Sequence, residues 1–441
     1  MTSLAVFAVS LDTTVLYVAF PAIRRSFASV STAELSWVLN AYTVLFGALL
    51  VPAGRLADRI GRRRTFLAGV SLFTLASLVC GIAPSAPFLI AARAGQAIGA
   101  AMLLPSSLAL VLAAFPRERR AVAVSIWGAV GALSAAIGPS LGSLIVDTIG
   151  WRAVFLMNLP VGLVALLRTR RVVPESRNTS AGPLPHPAGI ALLVVAVGAL
   201  ALAIVQGDTW GWQSARTIGA FGVTAFAFVV FTIASRHAAA PVIDLTLFRD
   251  RTFGLANAAT LVFSVAFTAM FFALILFQTQ VWGYSILEAG LGITPGPLMV
   301  MPTAILGGRI AARRGHGPVL IVGGIIYALG GLLQVTTMPA HPAYVTHFLP
   351  MALLNGVGIG LVLPSLAGAA VHGLSESRFA LGSAVNQAVR QVGSVIGVAL
   401  VVALLERSPN MDGFRHIFAL LVIGGLGTAL FSLGIDTRPR R

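Results

Sequence analysis

Apolar residues along this chain fall in long unbroken stretches without alternation, and short polar gaps rich in arginine separate them. About 20 apolar residues cross the hydrocarbon core of a bilayer. Fourteen stretches of that order are present, beginning at about residues 4, 35, 65, 88, 122, 151, 188, 216, 253, 289, 317, 345, 379 and 414. Continuous apolar character, in place of a two-residue period, predicts helices and not a barrel. The pattern therefore predicts an all-α polytopic membrane protein with 14 transmembrane helices.

The polar gaps repeat. Gly54-Arg55-Leu56-Ala57-Asp58-Arg59-Ile60-Gly61-Arg62-Arg63-Arg64 lies between the second and third stretches, and Gly308-Arg309-Ile310-Ala311-Ala312-Arg313-Arg314-Gly315 echoes it 254 positions later. Gly99 to Ser106 in the fourth stretch resembles Gly358 to Ser365 in the twelfth at an offset of 259, which also carries Arg119 to Arg378 and Gly138 to Gly397. The seventh and eighth stretches have no counterpart. This predicts two pseudo-symmetric six-helix halves, residues 1–168 and 252–441, with residues 169–251 forming a linker and two inserted transmembrane helices. Arg168 to Pro187, with four Arg and four Pro, reads as a flexible cytoplasmic linker. A duplicated membrane-embedded half is how secondary transporters are built.

Composition supports the bilayer assignment, since 57% hydrophobic and 10% charged residues leave too little polar surface for a soluble chain of 441 residues. The net charge of +16 raises nucleic acid as a partner, but the distribution of the arginines answers that. All 30 basic residues are Arg. With both termini cytoplasmic, 22 fall on the cytoplasmic side, six outside (Arg24, Arg25, Arg152, Arg216, Arg407, Arg415) and two, Arg93 and Arg390, within spans. This positive-inside bias orients a multi-pass protein in the inner (plasma) membrane and needs no polyanion beyond lipid headgroups. No nucleic-acid partner is expected.

Enzyme chemistry has little support. Without Lys there is neither a phosphate loop ending in Lys-Ser/Thr nor a Lys Schiff base for a pyridoxal cofactor. Cys80 is the single cysteine, and the seven His show no metal-ligand pairing, so neither metal nor cofactor is expected. No cleavable signal peptide is expected, because Asp12 interrupts the first apolar run and no basic leader precedes it.

Of 14 acidic residues only Asp12 lies deep in a span. It sits about nine residues from either end of the first helix, roughly 13 Å from each interface at 1.5 Å per residue. An ionised Asp there costs on the order of 3 kcal/mol on insertion scales, so such a residue marks a functional site or a structural ion pair. Arg93, in the fourth span, is the candidate partner in proton coupling. Arg390, in the thirteenth, is the other intramembrane cation. Snorkelling to an interface competes with either role, more strongly for Arg93 by depth. Tyr17, Asn40, Tyr42, Gln96, Asn257, Asn355, Asn386 and Arg390 are the candidates for binding substrate, although polar residues in spans also serve as interhelical hydrogen-bond partners. In the fifth span Gly128, Gly131, Ala135, Gly138 and Gly142 recur at three- and four-residue spacing, giving a face almost without side chains, and Pro139 bends the helix there.

Several of these motifs resemble one family. The loop Gly54 to Arg64 is similar to the signature between the second and third helices of the major facilitator superfamily. Leu11-Asp12-Thr13-Thr14-Val15 with Val18-Ala19-Phe20-Pro21, and Arg93 to Ala101 with Ala97 in place of the usual Gly, resemble motifs of its fourteen-span drug:proton antiporter branch. So do Gly128 to Gly131, Gly138-Pro139-Ser140-Leu141-Gly142-Ser143 with Ser143 in place of the last Gly, and Trp151-Arg152 to Asn158-Leu159-Pro160. The resemblance implies a conformational switch at Asp58, Arg59, Arg62, Gly138, Pro139 and Gly142. In it Asp58 pairs with Arg119 or Arg120 in one state, and the glycine face packs at the interface between the halves. Together these expectations describe a proton-coupled multidrug or small-molecule exporter. It takes lipophilic, cationic or neutral substrates, works by alternating access and functions as a monomer. A dedicated exporter of one endogenous metabolite, or a non-transporting sensor of the same fold, are the alternatives.

Overall fold

The computed structural model describes residues 2–116, 119–177, 183–375 and 378–437, without the side chains of 120–122, 124, 125, 132 and 380. Arg117, Glu118, Glu376, Arg438, Arg440 and Arg441, which entered the charge reading, lie outside the described residues. Each apolar stretch forms a helix long and apolar enough to cross a membrane: α1 (Thr2–Ser26), α2 (Thr32–Ile60), α3 (Arg62–Gly81), α4 (Ala86–Ala114), α5 (Ile126–Thr148), α6 (Trp151–Val172), α7 (Pro187–Val205), α8 (Ala215–His237), α9 (Arg251–Gln280), α10 (Ile286–Arg314), α11 (His316–Thr337), α12 (Tyr344–His372), α13 (Leu381–Arg407) and α14 (Met411–Ser432). No strand occurs among the described residues.

The chain divides into two compact units. One comprises Met1–Ala199 with Gly222–Ile243, the other Leu200–Phe221 with Asp244–Arg441, so the division passes through α7 and α8.

Each unit carries its copy of the repeat. Gly61 separates α2 from α3 at φ +122°, and Gly315, 254 positions on, separates α10 from α11 at φ +82°. Both are in the left-handed region that favours glycine, which ends one helix and redirects the chain into the next. In the first unit α3 and α4 touch backbone to backbone, for a Cβ on Gly99 would lie 2.5 Å from the Phe73 nitrogen and 2.9 Å from the Gly69 carbonyl. In the second unit a Cβ on Gly358 would lie 2.9 Å from the Tyr327 nitrogen, and one on Gly323 would lie 3.3 Å from the Gly358 carbonyl. These residues stand at the same two offsets, 254 and 259, that relate the sequence repeats.

Two expectations change. The start of the segment read as a flexible linker is docked. Glu175 accepts hydrogen bonds from the backbone N–H groups of Arg63 (3.0 Å) and Arg64 (3.1 Å), Arg62 N–H donates to the Ser176 carbonyl (2.9 Å), and the Arg63 guanidinium to that of Val173 (3.1 Å). A carboxylate at the open N–H groups of the α3 N-terminus satisfies donors the helix itself leaves unpaired, and a composition-based reading cannot see that partner. Gly61 serves this corner twice, because a Cβ there would also lie 2.7 Å from the Glu175 carboxyl carbon. The glycine face of α5, expected to meet the second half, packs on α1 of its own unit. A Cβ on Gly138 would overlap the Thr14 side chain, and one on Gly142 would approach Val15 Cγ1 to 2.5 Å. Spacing reveals a bare face but not what covers it.

Candidate functional site

Asp12 and Arg93 meet in the interior of the first unit. Both are buried, at 2% and 1% exposure, and Arg93 Nη1 lies 2.6 Å from Asp12 Oδ2. Arg93 is therefore a buried ion-pair partner and does not snorkel. Depth below the membrane surface does not decide its position, because the counter-charge it meets is the carboxylate beside it.

The helices α1, α2, α3, α4 and α6 all contribute. Gln96 sits one turn beyond Arg93 on α4, hence on the same face. Its Nε2 donates to Asp12 Oδ1 (2.8 Å) and to Ser77 Oγ of α3 (2.8 Å), while its Oε1 accepts from Arg93 Nη1 and from the Cys80 thiol. Asn158, near the start of α6, donates from Nδ2 to Asp12 Oδ1 (3.0 Å) and to Ser77 Oγ (3.4 Å). Arg93 Nε donates to the Val38 carbonyl of α2 (3.2 Å). Its guanidinium carbon stands 4.1 Å from the centroid of the Tyr42 ring and 5.8 Å from that of Phe155, a placement that adds cation–π attraction where water is excluded.

Three donors thus converge on one carboxylate, which suits its ionised form, since a carboxylate only accepts hydrogen bonds. A protonated Asp12 must donate, and Arg93 Nη1, Gln96 Nε2 and Asn158 Nδ2 offer it no acceptor. Adding a proton would remove the charge that strengthens all three contacts, and each of the three donors belongs to a helix other than α1. Proton occupancy and helix contacts are chemically linked here.

The site is specific to the first unit. At the repeat offsets, Asp12, Ser77, Arg93 and Gln96 correspond to Ala266, Gly331, Ala352 and Asn355. Only an amide survives, and both polar atoms of the buried Asn355 side chain lack a hydrogen-bond partner. The remaining substrate candidates do not gather into one cluster. Tyr17 and Asn40 are buried in the first unit, the Asn40 amide without a partner. In the second unit Asn386 Nδ2 donates to Asn257 Oδ1 (3.2 Å) and to Thr260 Oγ1 (2.9 Å). Arg390, one turn further along α13, is partly exposed.

Among the switch candidates, Asp58 pairs with Arg62 four residues on, with Oδ1 2.9 Å from Nη2 and 3.0 Å from Nε. Arg119 is exposed and makes no ion pair with it, and the Arg120 side chain lies outside the described residues. Arg59 is exposed. Asp58 lies in the last turn of α2 and Arg62 is the first residue of α3, so the pair spans the break at Gly61. Ser77, Cys80 and Asn158 join the site beyond the residues expected from sequence. Asn158 carries the same sequence signal as Asn40 or Asn257, an amide in an apolar span. Ser77 carried none, because a hydroxyl in a spanning helix ordinarily bonds its own backbone, as Ser77 also does to the Phe73 carbonyl at 2.8 Å.

A duplicated set of spanning helices is how secondary transporters are built, and residues 2–398 match the family described as Major Facilitator Superfamily. The chain belongs to that superfamily and is a transporter, not an enzyme. It is 37% identical over its whole length to the multidrug resistance protein Stp of Mycobacterium tuberculosis, covering 83% of that protein. Over 95% of its length it is 32% identical to the methylenomycin A resistance protein of Streptomyces coelicolor, covering 88% of it. Over 91% it is 30% identical to the tetracenomycin C resistance and export protein of Streptomyces glaucescens, covering 74%. Among solved structures it shares a fold with a POT peptide transporter in complex with sulfate, at TM-score 0.70 and 15% identity over 98% of this chain and 94% of that one. A POT family transporter in complex with 5-aminolevulinic acid gives TM-score 0.71, 15% identity and coverages of 99% and 96%.

Proposed function

We propose that the protein exports lipophilic small molecules by alternating access, driven by protons, from the inner (plasma) membrane with both termini cytoplasmic. The observation that carries the coupling is the convergence of Arg93, Gln96 and Asn158 on Asp12. Protonation from outside takes away the charge that strengthens these contacts and favours one access state, and deprotonation inside restores it and favours the other. The Asp58–Arg62 corner biases the same equilibrium from the membrane surface. The multidrug and antibiotic-resistance relatives support export of foreign compounds. A narrower reading is export of one compound, as in the cephamycin export protein of Amycolatopsis lactamdurans, to which the chain is 34% identical; a single endogenous metabolite is the form that reading takes here.

Proteoliposomes under an imposed pH gradient test the coupling, with a panel of neutral, cationic and anionic antibiotics as probes. The wild type should show probe-induced proton movement that Asp12→Asn lacks, although the variant still exchanges the probe passively. Full proton coupling in Asp12→Asn would remove Asp12 as the carrier.

A further inference from the structure

We propose that Arg390 is the counter-charge for an acidic group on the transported molecule, so that the second unit takes small amphipathic anions, an assignment that rests on the export reading for transport but on the second unit alone for the anion.

Arg390 is the twelfth residue of the helix Phe379–Arg407, about 17 Å from its start at 1.5 Å per residue and further from its end. The guanidinium stays charged in proteins and carries five donors. It makes no hydrogen bond or ion pair with any described residue, whereas the equally intramembrane Arg93 spends its donors on Asp12, Gln96 and Val38. The described acids of the second unit stand at helix ends or in connections. Glu406 is the one on α13, and 16 residues separate it from Arg390.

Arg390 also lies within a polar stripe. Asn386, Arg390, Gly393, Ser394 and Gly397 recur at three- and four-residue spacing and share the face of α13 that meets α9. On either side of Arg390 that face is engaged, through Asn386 to Asn257 and Thr260 below and through Thr268 Oγ1 to Ser394 Oγ at 3.0 Å above. Between them, Ser264 of α9 is 1% exposed and its hydroxyl has no partner. Its Cβ stands 2.7 Å from where a side chain on Gly393 would begin, so it points at the α13 stripe, one turn from Arg390. A buried O–H and a free guanidinium on neighbouring turns are two unmet donors, and the oxygens of one anion accept from both.

The fold itself does not require this cation, because the equivalent position 259 residues earlier is Gly131. Asp12, the deep acid of the first unit, is already neutralised by Arg93 and so does not call for a cationic substrate. The anion sought by Arg390 could belong to a dissolved amphipathic acid or to a lipid headgroup. Its distance from both helix ends favours the former.

Equilibrium dialysis of the full-length protein in phosphatidylcholine nanodiscs tests this with naphthalenesulfonate and naphthyltrimethylammonium, one ring system carrying opposite permanent charges. Wild type should bind the sulfonate, Arg390→Gln should bind it about tenfold more weakly, the scale of one lost charge-assisted contact, and Arg390→Lys should recover part of the loss. Ammonium binding should not fall in either variant, and thermal stability without probe should not fall in Arg390→Gln, because no protein partner is lost. Absence of sulfonate binding by wild type, equal binding by Arg390→Gln, or parallel loss of both probes would overturn the assignment. Phosphatidylglycerol in the disc should leave sulfonate binding unchanged. Arg390-dependent displacement by that lipid would give the site to a headgroup and overturn the substrate assignment. Asp12→Asn should bind the sulfonate as wild type does, so a failure of proton coupling and a failure of anion binding are read in different variants.

Discussion

At the residue scale, the Asp12–Arg93 pair makes each member dependent on the other. Taking one partner from a buried ion pair leaves an uncompensated charge and costs about 3–5 kcal/mol, whereas replacing both by neutral groups of similar shape costs far less. Arg93→Gln should therefore lower the midpoint of thermal unfolding in detergent more than Asp12→Asn/Arg93→Gln does. Additive losses in the double variant would mean that the two side chains are not coupled. The pair was legible from sequence because charges in spans are scarce and a deep carboxylate asks for a cation. The hydroxyl and amide partners were not, since Ser77 and Asn158 are ordinary residues for a membrane helix, and only three-dimensional convergence on one oxygen distinguishes them. Arg390 inverts the case. It was as visible as Arg93, and what distinguishes it is the lack of a partner, which no sequence pattern displays.

At the element scale, α1 connects the site to the packing of the first unit. One face of it presents Asp12 to α4 and α6, while Thr14 and Val15, two and three residues on, meet the glycine face of α5. A side chain at Gly138 must displace Thr14 and with it the α1 segment that holds the carboxylate. Gly138→Leu should insert normally, since the apolar character of the span is kept, yet lose coupled transport. Gly138→Ala should lose less, because a single methyl meets Thr14 Oγ1 and Cβ and calls for a smaller displacement of α1 than a leucine does. Proton-coupled uptake into inverted vesicles, normalised to protein in the membrane, checks the order, and wild-type activity of Gly138→Leu would sink the link between this contact and the site. Sequence spacing exposed the bare face and the bend at Pro139, but glycine carries no information about its neighbour. The neighbour of this face within the first unit is α1.

At the scale of the molecule, the repeat is faithful in its backbone and broken in its charges. The glycines that end α2 and α10, and those that bring α3 onto α4 and α11 onto α12, recur at fixed offsets, and their period and apolar length made the architecture readable. The repeat fails at an acid–base pair in the first unit opposite Ala266 and Ala352, and at the intramembrane Arg390 in the second opposite Gly131, and the proposed function draws on both. That asymmetry has an energetic consequence. Under the proposed coupling one deep carboxylate carries one proton inward per cycle, so exchange for a monovalent cation moves no net charge and exchange for a neutral molecule moves one charge inward. Exchange for a monovalent anion leaving through the Arg390 site moves two, since the departing negative charge adds to the entering proton. Each elementary charge contributes about 2.3 kcal/mol per 100 mV of membrane potential, so a monoanion gains about 4.6 kcal/mol and a neutral substrate half of that. Proteoliposomes clamped with potassium and valinomycin at equal pH on both sides measure this directly. The logarithm of the steady-state naphthalenesulfonate gradient should rise with potential twice as steeply as that of a neutral substrate. An equal slope for the two would mean that the anion moves with a second compensating charge, and would rule out one-proton exchange through Asp12.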